Sequence, residues 1–179
     1  MKQYIAFLRG INVSGKNKIS MPILREAFAA AGFENVKTYI NSGNILFSTP
    51  QQEPAVLVEL CQQIILVEFD LAIPVAIISV EELQEVVAHA PDWWTTDKEI
   101  VTYAIFLLPP LNVAEVVAAV GEIDPQYEQL SVYQNVIFWS TPLKTFNKSR
   151  WSKIASSAVN RRVTIRNSRT VLKMLELAE

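Results

Sequence analysis

The sequence predicts an α+β fold: two ferredoxin-like βαββαβ halves joined by a linker helix, with a further helix at the C-terminal end. Two observations carry this. Strand-like and helix-periodic runs follow the order βαββαβ twice along the chain, the pattern of the split βαβ motif. A short echo links the halves, since Ile45-Leu46-Phe47-Ser48-Thr49-Pro50 resembles Val136-Ile137-Phe138 followed, after Trp139, by Ser140-Thr141-Pro142. The halves are expected over residues 1–79 and 99–179, with residues 80–98 as linker helix and loop.

Gln3 to Leu8 reads as the first strand, followed by a loop from Arg9 to Ile19. Ser20 then has the character of an N-cap and Pro22 sits in the first turn, where its missing N–H costs nothing. The helix that follows presents Leu24, Ala27, Phe28 and Ala31 at helical spacing and stops at Gly32. Val36–Ile40 and Ile45–Ser48 form a hairpin around Asn41-Ser42-Gly43-Asn44, residue types suited to a tight turn. A helix from Glu53 to about Phe69 carries Leu57, Leu60, Cys61, Ile64 and Ile65 toward the core, and Ile73–Ile78 closes the half as a strand. Ser79 and Glu82 make a capping box for the linker helix, whose inward face is Leu83, Val86, Val87 and Ala90. The second half reads as strand Ile100–Leu107, helix Val113–Val120, strands Gln129–Tyr133 and Val136–Ser140, helix Ser149–Val159 and strand Val163–Arg166. The last helix begins at Ser168, which suits an N-cap.

Half of the 179 residues are apolar and five are glycine, which suits an ordinary globular chain and excludes a disordered one. Apolar stretches such as Ile105 to Leu111 are broken by proline or polar residues well before bilayer length, so no membrane span is expected. Arg9 interrupts the N-terminal apolar run, which reads as a strand and not a signal peptide, so a cytoplasmic location is expected. A single cysteine and a single histidine leave no basis for an internal disulfide or a Cys/His metal cluster; no metal is expected and no cofactor is indicated. Cys61 on an apolar helical face reads as a small buried hydrophobe, and His89 as a residue that suits the dipole at the end of an acidic helix. Trp93 and Trp94 read either as a packing cluster between the halves or as the flank of a cleft.

The formal charge of −2 conceals a segregation. Residues 1–25 hold five Lys/Arg and no acid, residues 26–128 hold two Lys/Arg and sixteen acids, and residues 129–175 hold nine Lys/Arg and no acid. If the basic ends meet, they form one positive surface. The string from Gly10 to Lys16 fits the phosphate-loop pattern G-x-x-x-x-G-K, but Asn17 stands where Ser or Thr would hold Mg²⁺ and the helix starts only near Ser20. A nucleotide-hydrolysing loop is therefore disfavoured, while Arg9, Lys16 and Lys18 remain candidates for holding an anion. Lys144, Lys148, Arg150 and Lys153 interleave with Phe146 and Trp151, which suits either a nucleic-acid surface or an inward-packed Trp151 and Ile154 beneath solvated charges. Arg161, Arg162, Arg166 and Arg169 surround the last strand.

The strings Ala6-Phe7-Leu8-Arg9-Gly10-Ile11-Asn12-Val13, Gly15-Lys16-Asn17-Lys18 and Thr38-Tyr39-Ile40-Asn41-Ser42-Gly43-Asn44 resemble those of an uncharacterised bacterial family, domain of unknown function 1697, as does Thr164-Ile165-Arg166-Asn167 with Thr170 and Lys173. This chain has Ser14-Gly15 where the family usually has two glycines. The resemblance implies a two-part α/β protein and brings no activity, substrate or catalytic residue with it. Three expectations follow for function. The first is a binder of a phosphate-bearing ligand, nucleic acid foremost, through Arg9, Lys16 and Lys18 with Arg150, Lys153 and Arg166. It is tempered by the lack of an aromatic RNA-binding pattern on Asn44-Ile45-Leu46-Phe47-Ser48. The second is an enzyme on a small anionic metabolite oriented by Asn12, Asn41 and Asn44; no nucleophile with an adjacent base marks its reaction. The third is a protein-interaction module.

Overall fold

The structure, a computed structural model, describes residues 1–51 and 53–179. Among the described residues, eight strands and five α-helices follow the expected order save for the helix expected at Ser149–Val159: β1 (Lys2–Leu8), α1 (Met21–Ala30), β2 (Glu34–Tyr39), β3 (Asn44–Thr49), α2 (Pro54–Phe69), β4 (Val75–Ser79), α3 (Val80–Ala88), β5 (Ile100–Leu107), α4 (Val113–Val120), β6 (Gln129–Tyr133), β7 (Val136–Pro142), β8 (Val163–Asn167) and α5 (Ser168–Ala178). They build two four-stranded sheets, β2-β3-β1-β4 and β6-β7-β5-β8, in which every neighbouring pair is antiparallel. The chain divides into two compact units, residues 1–84 with 174–179, and residues 85–173. The division falls inside α3 and inside α5.

In the first unit, Tyr4, Ala6 and Leu8 of β1 alternate onto the face that packs with Leu24 and Phe28 of α1 and with Leu57, Cys61 and Ile65 of α2. Phe28, Phe33 and Phe47 form a ring cluster with centroids 4.5–6.0 Å apart. The buried face of α1 is narrower than its sequence suggests: Met21, Leu24 and Phe28 fill it, while Ala27 is half-buried and Ala31 is exposed. Leu60, expected in the core, is 42% exposed. A helix buries one stripe, and Leu57, Cys61 and Ile65 already occupy it. The last strand of this unit starts at Val75 and not Ile73, although Ile73 is buried. Burial pushes the Cys61 thiol up to about 12, as desolvation disfavours a thiolate.

The second unit differs from expectation in its second crossover. Where the sequence suggests an α-helix over Ser149–Val159, the chain makes 3-10 turns at Leu143–Lys148, Trp151–Ser156 and Asn160–Arg162. Two local causes are visible. The hydroxyls of Ser149, Ser152 and Ser157 each donate to the carbonyl three residues earlier, at 2.6, 2.8 and 2.7 Å, which tightens the turns. The buried carboxylate of Glu128 also claims backbone donors, accepting from Arg150 N (2.9 Å) and Trp151 N (3.0 Å), along with Asp124 N (2.9 Å) and Trp139 Nε1 (2.7 Å). Four N–H groups thus solvate one anion inside the unit. Trp151 and Ile154 do pack inward, beside Trp139. Trp94 also belongs to this unit, donating through Nε1 to Tyr103 O at 2.9 Å and standing edge-on to Phe138. The cap of α5 is Asn167, whose side-chain oxygen accepts from Thr170 N at 2.8 Å. Ser168, the expected cap, instead donates to Thr95 O at 2.7 Å. No helix among the described residues is long and apolar enough to cross a membrane.

Two predictions follow. Glu128→Gln keeps the shape but leaves one acceptor oxygen for four donors, and it should lower unfolding free energy by about 2–4 kcal/mol in urea titration. Cys61 should be inert to a thiol reagent in the native protein and react stoichiometrically once the chain is unfolded.

Candidate functional site

The split βαβ order brings three chain segments to one end of the first sheet. β1 leaves the sheet there, α1 begins there, and the β2–β3 hairpin turns there. The loop between β1 and α1 is wound tightly, with positive φ at Gly10, Asn12, Ser14, Gly15 and Asn17. Asn12 holds it in place. Its Oδ1 accepts from Ile19 N (2.9 Å), and its Nδ2 donates to Ile19 O (3.0 Å) and to Asn41 O (2.8 Å), which ties the loop to the hairpin turn. Asn17 Nδ2 donates to Gly10 O (2.9 Å), and Asn12 N donates to Asn17 O (3.0 Å).

The hairpin turn is locked from the other side. Leu8 N at the end of β1 donates to Gly43 O at 2.8 Å. Asn44, fully buried, donates from Nδ2 to Tyr39 O (2.9 Å) and to Ser42 Oγ (3.0 Å). Gly43 has φ +83, and a Cβ there would lie 2.7 Å from Ile11 Cδ1 and 2.8 Å from Leu8 Cβ, so this position requires glycine on both counts. Ile40 keeps φ +46, which costs a β-branched residue about 1–3 kcal/mol, and the surrounding bonds hold it there.

Between loop and turn opens a cleft of about 440 Å³ lined by Asn12, Gly15, Lys18, Ser20, Met21 and Asn41, among others. Lys18, Ser20 and Asn41 are exposed, and Lys16 stands exposed on the loop near it. Ser20 occupies the N-cap position of α1, but its hydroxyl makes no capping bond. The first N–H groups of a helix have no partner within the helix, and Pro22 removes one of them, so the start of α1 presents donors and a positive dipole end at the cleft. The equivalent end of the second unit is built differently. There Asn112 and Glu115 form a complete capping box at α4, with bonds of 3.0 Å each way, and Glu115 adds a negative charge.

Two of the loop's amides are not free to cradle a phosphate. Lys16 N donates to Val13 O at 2.9 Å and Asn12 N to Asn17 O, so two of its amides are committed to the loop itself. Asn12 likewise spends its amide group on the backbone, and Asn44 spends its N–H groups on Tyr39 O and Ser42 Oγ. Arg9 is half-buried, and its N donates to Pro74 O at 3.0 Å. Lys18 and Asn41 are the expected residues that line the cleft with exposed side chains, and Lys16 is exposed on the loop outside that lining. Ser20, which reads in the sequence as a cap, joins them; no signal in the residue order distinguishes a capping serine from an idle one.

Arg150, Lys153 and Arg166 belong to the second unit. Arg150 NH1 donates to Glu122 O at 2.7 Å, and Lys153 is exposed. Arg166 is turned inward, bonding Thr164 Oγ1 (2.9 Å) and Ile165 O (2.8 Å), and its burial pushes the guanidinium down to about 10, still protonated at neutral pH.

Two split-βαβ sheets in series, the first bearing a wound loop latched to a hairpin turn, define a duplicated α+β protein. The chain belongs to the family described as protein of unknown function DUF1697, whose model matches residues 1–138. The chain is similar over 99% of its length to the conserved bacterial protein SP0830 from Streptococcus pneumoniae, covering 99% of that chain at 30% identity with a TM-score of 0.87. No curated protein matches it.

Gly43→Ala should destabilise the protein by about 3 kcal/mol or more, read as a fall in denaturation midpoint, because backbone strain and a steric clash add at one atom. Asn12→Ala should cost about 1–3 kcal/mol by the same measurement, since it strands Ile19 N and Asn41 O near the loop.

Proposed function

We propose that the protein binds a phosphate-bearing ligand in the cleft between the Arg9–Ile19 loop and the β2–β3 turn. The observation that supports this most is the uncapped start of α1 facing a cleft lined by Lys18, with Ser20 and Asn41 exposed beside it. Helix N–H groups and an ammonium converge on one volume, which suits a dianionic or monoanionic phosphate better than a neutral group. Lys18 supplies the charge, Ser20 Oγ and the Asn41 amide supply orienting hydrogen bonds, and Lys16 adds attraction from the loop. Asn12 positions the cleft by holding its two walls together.

A single-stranded nucleic acid is the first ligand to test, because an open cleft on a loop can take one phosphodiester of a longer chain. Fluorescence anisotropy of labelled single-stranded RNA at low salt should show binding that weakens steeply as salt rises. Lys16→Ala with Lys18→Ala should weaken that binding by about tenfold or more and make it less salt-dependent, by roughly 0.7 in log–log slope per lost phosphate contact. Inorganic phosphate and pyrophosphate in a thermal-shift series separate a small-anion site from a polymer site, since only the former should raise the melting temperature on its own. Unchanged RNA affinity in the double variant, with no response to either small anion, would remove the cleft from consideration.

A further inference from the structure

Helix α2 is apolar on two faces, and only one of them meets the core. Leu57, Cys61 and Ile65 are buried, while Val56, Leu60 and Val67 are 37%, 42% and 74% exposed. Val56, Leu60, Gln63 and Val67 recur at alternating four- and three-residue steps, the spacing by which one helix presents a seam to another. A helix with apolar residues on both sides ordinarily has a neighbour on both sides. Beside this seam runs a groove of about 550 Å³ lined by Glu59, Gln62, Gln63 and Leu66 of α2 and by Ala72, Ile73 and Pro74 ahead of β4. Gln63 belongs to both seam and groove, and Leu66 in the groove wall is 42% exposed, so the two adjoin as one strip of mixed apolar and amide character.

Along the chain the charge flanking this strip is of one sign, while α1, which packs beside α2, carries Arg25 next to Glu26. From residue 38 to residue 97 the chain has no lysine or arginine, while α2 and its flanks carry Glu53, Glu59, Glu68 and Asp70. We propose that the outer face of α2, with its groove, docks a cationic amphipathic helix of a partner protein. The apolar anchors of that helix would occupy the Val56–Leu60–Val67 seam and the groove, and its Lys/Arg flank would meet Glu59 and its neighbours. Charge decides among the occupants. A second copy docking through the same helix would set Glu59 and Glu68 against their own counterparts with no cation in the segment to offset them. An anionic membrane surface would be repelled by the same acids.

The test uses the full chain and two fluorescein-labelled peptides of about 18 residues, both with leucine at helical i, i+3, i+4, i+7 spacing. One carries lysine at the remaining positions and the other glutamate. Anisotropy should show the lysine peptide binding and the glutamate peptide not. Leu60→Gln with Val67→Gln should weaken the lysine peptide by at least about tenfold, with thermal stability unchanged because both side chains face solvent. Should that double variant lose its fold, Val67→Ser alone repeats the test and should weaken binding in the same direction. Equal binding of both peptides, or undiminished binding by the folded seam variant, would overturn the proposal by placing the peptide elsewhere. A parent that dimerises in sedimentation and becomes monomeric on Val67→Glu would overturn it in favour of a second copy.

Discussion

Three hydrogen bonds from one carboxamide govern the architecture of the first unit's open end. Asn12 imitates a strand partner for Ile19, giving and taking one bond each, and uses its remaining N–H on Asn41. That last bond joins two segments that the sheet topology only brings near each other. With the loop seated, Ile11 packs under Gly43, the left-handed Ile40 is tolerated, and the start of α1 is aimed into a cleft. A loop of this length without such a latch would be free to move away from the turn.

The two units offer a comparison within one chain. Each places a helix N-terminus at the end of its sheet where the central hairpin turns. In the second unit that terminus is sealed by Asn112 and Glu115, and the interior is organised around a carboxylate, Glu128, held by four N–H donors without a counter-charge among those bonds. In the first unit the terminus is left unsealed and lysines stand beside it. The same topology therefore serves packing in one place and access in the other, and the difference lies in a handful of polar side chains.

Apolar surface is distributed with similar selectivity. The core stripe of α2 is satisfied by Leu57, Cys61 and Ile65, so Val56, Leu60 and Val67 contribute nothing to that core. Their exposure in a segment devoid of cations gives the first unit a second chemical character, apolar and acidic, distinct from the basic loop that follows β1.

Element order, the duplicated βαββαβ plan and most strand boundaries were legible in the residues, because strand and helix periods differ and because Gly, Pro and Asn mark the turns by local sterics. The glycine at the β2–β3 turn and the capping box at Ser79–Glu82 were readable for the same reason, and the latter forms with bonds of 2.7–3.2 Å. What the residues could not show is which face of α2 meets the core, since apolar side chains lie on both, nor that Ser149–Val159 would tighten into 3-10 turns. The latter depends on Glu128, more than twenty positions away in the chain, capturing the N–H groups of Arg150 and Trp151. The assembly of Lys18, Ser20 and Asn41 around one cleft likewise depends on a bond across 29 positions, from Asn12 to Asn41. Local sterics act between neighbours and can be read along the chain. Desolvated charges and hydrogen bonds between distant segments take their partners only when folding brings them together, and those are the features that the tertiary structure alone decided.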